Sequence, residues 1–166
     1  MNYIEVIDNS ISQKNCDIII NKYSKKIQGY FEEPHNYSYC EIPYEDKILQ
    51  KLACKVIDIY KKKYPEVNCT QEKWSLKNFR FQIFKPGKHY DTLHSEQGTE
   101  NQRLLNVIVY LSSHDCGTEF FHKNMVKSVK GRTIVFPAYW THAHKGQPCP
   151  NKKTRYILTA YATFDE

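Results

Sequence analysis

The chain contains no Cys-x-x-Cys pair: its six cysteines, Cys16, Cys40, Cys54, Cys69, Cys116 and Cys149, are scattered along 166 residues. That scatter argues against a structural zinc cluster and against a dense disulfide framework. No apolar run approaches the roughly 18 residues that a membrane-spanning helix needs, and the N-terminus lacks the basic, apolar and small-residue order of a signal peptide. The expectation is a soluble, cytoplasmic protein in a reducing compartment, with no membrane contact. Repeats, low-complexity tracts and linkers are also missing, so residues 1–166 read as one domain. A chain of this length buries roughly 70% of its unfolded surface, enough for a core without staples. The net charge of +6 is moderate and concentrates in Lys61-Lys62-Lys63 and in Lys152-Lys153 with Arg155. The first cluster suits a helix C-terminus. The second leaves room for an anionic partner, but neither belongs to a nucleic-acid-binding motif, which argues against a nucleic acid.

What is present falls into two halves. Residues 3–7 read as a short strand, followed by Ser12 as a helix N-cap. Cys16, Ile19, Ile20, Tyr23 and Ile27 then recur at helical spacing, and Gly29 is the expected stop. A polar, aromatic loop through Glu33-Pro34-His35-Asn36-Tyr37 follows. The second helix spans about 44–64, with Leu49, Leu52, Ala53, Val56, Ile57 and Tyr60 on one face and Pro65 at its end. From Trp74 the pattern changes to strands: 79–84, then the turn Lys85-Pro86-Gly87, then 104–111, 117–121, 133–137 and 154–161. The expected fold is mainly β, a small barrel or sandwich braced by two N-terminal α-helices, with 1–73 as helical support and 74–166 as the β core.

Within the β half, His94-Ser95-Glu96 places an imidazole and a carboxylate on one side of an extended segment. A second histidine from a distant strand, His144 or its neighbour His142, would complete a two-histidine, one-carboxylate set. Such a set holds Fe(II) on one face and leaves the opposite positions open. A 2-oxo acid can chelate there with one place left for dioxygen. The far carboxylate of a five-carbon diacid would need a buried cation. Arg155, with a planar fork that stays charged when buried, suits that role. Thr159, four residues on, and Tyr110, at the end of the apolar strand, can add hydroxyls. Each has a plainer reading: a surface arginine, a β-forming threonine, a core ring with a wet tip. His35, His89, His114 and His122 are read as loop or surface residues. Tyr90 and the Trp140 region are candidates for a cavity rim, and Gln97-Gly98-Thr99-Glu100-Asn101 for a lid.

Residues 80–164 resemble the catalytic core of the Fe(II)/2-oxoglutarate-dependent dioxygenases, and within them the prolyl 4-hydroxylase-like group. The matching pieces are Phe84-Lys85-Pro86-Gly87 before His94-Ser95-Glu96, then Val109-Tyr110-Leu111 and Gly117-Thr118-Glu119-Phe120. Gly131-Arg132-Thr133-Ile134-Val135-Phe136-Pro137 leads to His144-Lys145-Gly146, and Arg155-Tyr156-Ile157-Leu158-Thr159 closes the set. The resemblance implies a double-stranded β-helix (jelly-roll) core. It implies Fe(II) on His94, Glu96 and His144, with His142 nearby or facing substrate. Arg155, assisted by Tyr110 and Thr159, would bind 2-oxoglutarate. Dioxygen is the second cosubstrate, and ascorbate as an accessory reductant belongs to the same expectation. The implied reaction is hydroxylation of a C–H bond, with a protein or peptide side chain, proline first, as substrate. A small molecule or a nucleic acid is the alternative within the class; the latter lacks an aromatic-plus-basic platform for a flipped base.

The chain departs from the group's pattern in three places. Glu96 stands where aspartate is more usual, Phe84 where many members carry a tyrosine, and the interval from His144 to Arg155 is slightly long, which leaves Lys153 as a rival counter-ion. A different class, a cupin-like barrel holding metal or a small anion without oxidation, remains the competing reading. The discriminating residue is Arg155, because a non-catalytic barrel has no use for a buried arginine opposite the metal.

Overall fold

The computed structural model describes residues 2–98, 102–150 and 152–165. Positions 99–101 of the candidate lid lie outside them. Strand β1 (Glu5–Ile7) precedes helix α1 (Gln13–Tyr23), β2 (Gly29–Phe31), β3 (Tyr37–Ile42) and helix α2 (Lys47–Lys63). After a short 3-10 turn come β4 (Trp74–Phe84), β5 (Arg103–Tyr110), β6 (Gly117–Phe120), β7 (Met125–Lys127), β8 (Thr133–Pro137), β9 (His144–Gly146) and β10 (Arg155–Phe164). Seven strands form a large sheet in the order β1-β8-β5-β10-β4-β3-β2, and β7-β6-β9 form a small one. Every named pairing is antiparallel, and β10 lies between β4 and β5. This is the expected jelly-roll architecture.

Both helices cover the outer face of the large sheet. Ser12 caps α1 by accepting from the Asn15 amide (3.1 Å), and Asp46 caps α2 by accepting from Ile48 and Leu49 (3.1 and 3.3 Å); such caps contribute about 1 kcal/mol each. The same Asp46 ties the two helices together, taking hydrogen bonds from Lys22 (2.7 Å) and from the Tyr23 hydroxyl (2.6 Å). Cys16, Ile19, Leu49, Leu52, Val56 and Tyr60 pack into one cluster with Phe81, Val107, Val109, Leu158 and Ala160 of the sheet. Each fully buried aliphatic side chain among them stabilises by about 1.5–3 kcal/mol. Strand alternation then sends Asn106, Ile108 and Tyr110 of β5, with Arg155, Ile157, Thr159 and Tyr161 of β10, to the opposite face.

The N-terminal half departs from its sequence reading. Besides the short strand expected at 3–7, here β1, residues 1–73 supply β2 and β3, so three of the seven strands of the large sheet come from the part read as helical support. The segment read as a loop is mostly the turn of the β2–β3 hairpin; β2 has three residues, and β3 begins at Tyr37, the last residue of that segment. Helix α1 also ends at Tyr23, not near Gly29, and Ile27 is exposed. The reason is local: the Gln28 amide already donates to the Tyr39 carbonyl (2.8 Å), so the chain has left the helix to pair with β3. Gly29 serves that pairing, since a Cβ there would lie 2.9 Å from the Tyr39 ring. Cys116 and Cys149, separated by 33 residues, are disulfide-bonded, a pairing that their sequence positions do not suggest. The remaining four cysteines are thiols.

Candidate active site

A cavity of about 320 Å³ lies between the inner face of the large sheet and the small sheet. His94 and His144 meet at its edge through paired backbone hydrogen bonds, 3.0 Å from the His94 amide and 2.8 Å from the His144 amide. The Glu96 amide donates to the Ala138 carbonyl (3.0 Å), which fixes the third residue of the group. The ligand atoms of His94, Glu96 and His144 all fall within 4.8 Å of one another, and among the described residues this is the one cluster of its kind.

The hydrogen bonds set the tautomers. His94 Nδ1 lies 2.9 Å from the Thr92 carbonyl and His144 Nδ1 lies 3.1 Å from the His142 carbonyl. A carbonyl can only accept, so both Nδ1 atoms carry the proton and both Nε2 atoms present a lone pair. Those lone pairs point at the Glu96 carboxylate, whose Oε1 is 3.2 Å from His94 Nε2 and 3.7 Å from His144 Nε2. Three electron pairs converging on one point fit a cation held among them. Burial, then the neighbouring His94, pushes the His144 imidazole down to about 4, so it is neutral and available as a ligand at pH 7. Burial opposes ionisation of Glu96, but the positive charge beside it, which the Arg103 guanidinium keeps at pH 7, outweighs that and holds the carboxyl below its usual range. Tyr90 stacks on His94 (centroids 4.0 Å apart), and Phe136 meets His144 edge-on (4.9 Å).

His142 is not part of the group. Its Nε2 contacts the Asn2 carbonyl (2.7 Å) and its Nδ1 the Thr141 hydroxyl (2.9 Å), which turns the ring away. The sequence also holds a second His-x-acid pair, His89-Tyr90-Asp91, which the sequence reading passes over. The structure pairs these two with each other (2.8 Å), and Asp91 is exposed.

Arg155 lines the same cavity and is 4% exposed, with its guanidinium over the Phe84 ring at 4.7 Å. Its Nη1 donates to the Gln147 carbonyl (3.1 Å) and lies 3.2 Å from Cys116 Sγ. Its Nε has no partner, and no carboxylate pairs with it among the described residues. Burial lowers its pKa to about 10, against an opposing contribution from Tyr110. A buried guanidinium without an anion is costly, so the arrangement calls for an anionic ligand. Thr159 Oγ1 also lines the cavity without a partner. The Tyr110 hydroxyl donates to Thr118 Oγ1 (2.7 Å). Gly146 fits closely here: a Cβ would come 3.2 Å from Arg155 Nη2 and 3.1 Å from the Tyr90 amide nitrogen, so a larger residue would press on both. Lys153, the rival counter-ion, is exposed.

Several residues enter the site unannounced. Asn106 is buried 3.5 Å from His144 Nε2, with its Oδ1 unpartnered; one polar residue inside an apolar strand was the available signal. Arg103 holds Glu96, and His35 joins Tyr90 in lining the cavity. His114, read as a surface residue, is buried against the Ser112 hydroxyl (2.8 Å). Trp140, 77% exposed, is not among the cavity-lining residues, whereas Tyr90 is.

A family model of the 2OG-Fe(II) oxygenase superfamily matches residues 74–163, more than half of the chain. The chain belongs to the 2OG-Fe(II) oxygenase superfamily. It is accordingly an Fe(II)- and 2-oxoglutarate-dependent dioxygenase, and the non-oxidative barrel is set aside. Among solved structures, this oxygenase is similar to the viral collagen prolyl hydroxylase of Paramecium Bursaria Chlorella virus-1 in complex with 2OG. The TM-score is 0.78 at 23% identity, over 99% of this chain and 97% of that one. A Pseudomonas putida prolyl-4-hydroxylase matches with a TM-score of 0.77 at 12% identity, over 100% and 95% of the two chains. A Trichoplax adhaerens prolyl hydroxylase, bound to a hypoxia inducible factor peptide fragment, gives 0.74 at 14% identity, over 98% and 84%. At these identities the likeness is one of fold. Among curated sequences nothing matches significantly.

Proposed function

We propose that this oxygenase hydroxylates a side chain of a protein or peptide, with proline the leading target. His94, Glu96 and His144 hold the iron, and Arg155, with Tyr110 and Thr159, binds the distal carboxylate of 2-oxoglutarate. The observation that carries the cosubstrate assignment is the buried, anion-less Arg155 facing the same cavity as the three ligand residues. Fe(II) bound there supplies the dioxygen chemistry that couples decarboxylation of 2-oxoglutarate to insertion of one oxygen atom into a C–H bond. The protein's part is placement. The guanidinium and the Thr159 hydroxyl fix one end of the cosubstrate. The two imidazoles and the ionised Glu96 fix the metal.

The cavity wall supports the substrate class. Tyr37, Tyr90, Tyr161 and His35 line it and give flat apolar surfaces suited to a pyrrolidine ring. Two arginines stand beside these rings, but Arg80 is paired with Glu41 (2.6 Å) and Arg103 with Glu96 (2.8 Å). The aromatic-plus-basic grouping is therefore already neutralised, which disfavours phosphate and thus a nucleic acid. Incubation with proline-containing peptides, Fe(II) and 2-oxoglutarate should add one oxygen atom to proline, read by tandem mass spectrometry. Oxidation of free amino acids or of alkylated nucleobases, with peptides untouched, would overturn the peptide assignment.

A further inference from the structure

Glutamate at position 96 has one more rotatable bond than the aspartate usual in the group, so its carboxylate can turn to offer a metal both oxygens. Bidentate binding would occupy a position that the 2-oxo acid or dioxygen requires. The structure answers this with a neighbouring cation. Arg103 Nη1 holds Glu96 Oε2 at 2.8 Å and reaches the Glu96 carbonyl at 3.4 Å. The guanidinium in turn lies 3.7 Å from the Tyr161 ring centroid, a stacked cation–π contact. Arg103 opens β5 opposite Thr163, and Tyr161 sits on β10 opposite Asn106, so both are anchored by the central strand pairing. The two carboxylate oxygens are thus divided. Oε2 belongs to Arg103, while Oε1 faces His94 and His144 at 3.2 and 3.7 Å.

We propose that Arg103, braced by Tyr161, is a positioning residue that restricts Glu96 to a single metal-binding oxygen and so keeps the cosubstrate's chelating positions open. The inference rests on Glu96 being an iron ligand. It accounts for how this chain uses glutamate: the arginine removes the freedom that the extra methylene introduces. Both contacts come from one nitrogen, Nη1, while the flat guanidinium face rests on the Tyr161 ring, so an arginine can hold Glu96 and be braced at once.

The test is anaerobic titration of 2-oxoglutarate into Fe(II)-loaded protein, read by the visible charge-transfer absorption of the chelate. Arg103→Ala should still bind Fe(II) but need about tenfold or more 2-oxoglutarate to develop the band, the scale typical of residues that orient metal ligands. Arg103→Lys should fall between Arg103→Ala and wild type. The decisive comparison is with Glu96→Asp. In that background the shorter arm has less freedom, so the penalty of Arg103→Ala should shrink to about threefold or less, since coupled residues are non-additive. An arginine that merely supports the fold would cost the same in both backgrounds. Equal penalties, or an Arg103→Ala titration that matches wild type, would overturn the proposal. If Arg103→Ala does not fold, Arg103→Lys is judged by the same two criteria. A wild-type protein that binds no Fe(II) would instead refute the ligand assignment of Glu96 itself.

Discussion

The two faces of β10 differ in one respect that separates stability from function. On the helix side Leu158, Ala160 and Ala162 are fully buried in the apolar cluster beneath α1 and α2. On the cavity side Arg155 and Thr159 are nearly as buried, yet Arg155 Nε and Thr159 Oγ1 have no hydrogen-bond partner. Residues one position apart on a single strand therefore sit in a completed environment and an incomplete one. Buried polar groups are normally satisfied, so a face that leaves them open is built around something that binds there. The same strand that holds the core together presents a buried cation with no anion to the cavity.

The comparison can be broken in order of effect. Glu96→Ala or His144→Ala should abolish iron-dependent succinate formation while the melting temperature stays near wild type, because neither residue belongs to the apolar clusters. Arg155→Met should weaken 2-oxoglutarate binding by about 2–5 kcal/mol, as for one partner of a buried charge pair, with stability unchanged or raised because an unpaired buried charge is removed. Calorimetric titration and thermal melts together read both halves of that expectation. Leu158→Ala should do the reverse, costing about 2–5 kcal/mol of stability through cavity formation while 2-oxoglutarate affinity is retained. Thr159→Val should reduce cosubstrate affinity by about 1 kcal/mol, the scale of one hydrogen bond. Smallest of all, His142→Ala should leave Fe(II) affinity unchanged, because its ring is turned toward Asn2 and Thr141.

The longer strands of the β half were legible because their signals are local, whereas the three-residue β7 and β9 were not. Alternation marks β4, an apolar run marks β5, and the two-residue interval in His94-Ser95-Glu96 puts both side chains on one side. The rest depends on pairings that sequence does not carry. The β2–β3 hairpin joins the sheet only through β4, about forty residues later, where Glu41 lies opposite Arg80. Arg103 becomes a partner of Glu96, and Cys116 of Cys149, only once the sheets close. His89-Tyr90-Asp91 teaches the same lesson in reverse. Its spacing equals that of His94-Ser95-Glu96, but β9 delivers His144 to His94, and the nearer pair is left to bond with itself.

That choice between two His-x-acid pairs is the most direct test of the site. Succinate release from 2-oxoglutarate with Fe(II), ascorbate and oxygen should be measured for wild type, His94→Ala and His89→Ala. The site described here predicts iron-dependent succinate from wild type and His89→Ala and none from His94→Ala. Loss in His89→Ala with turnover retained in His94→Ala would place the iron on the other pair and contradict it.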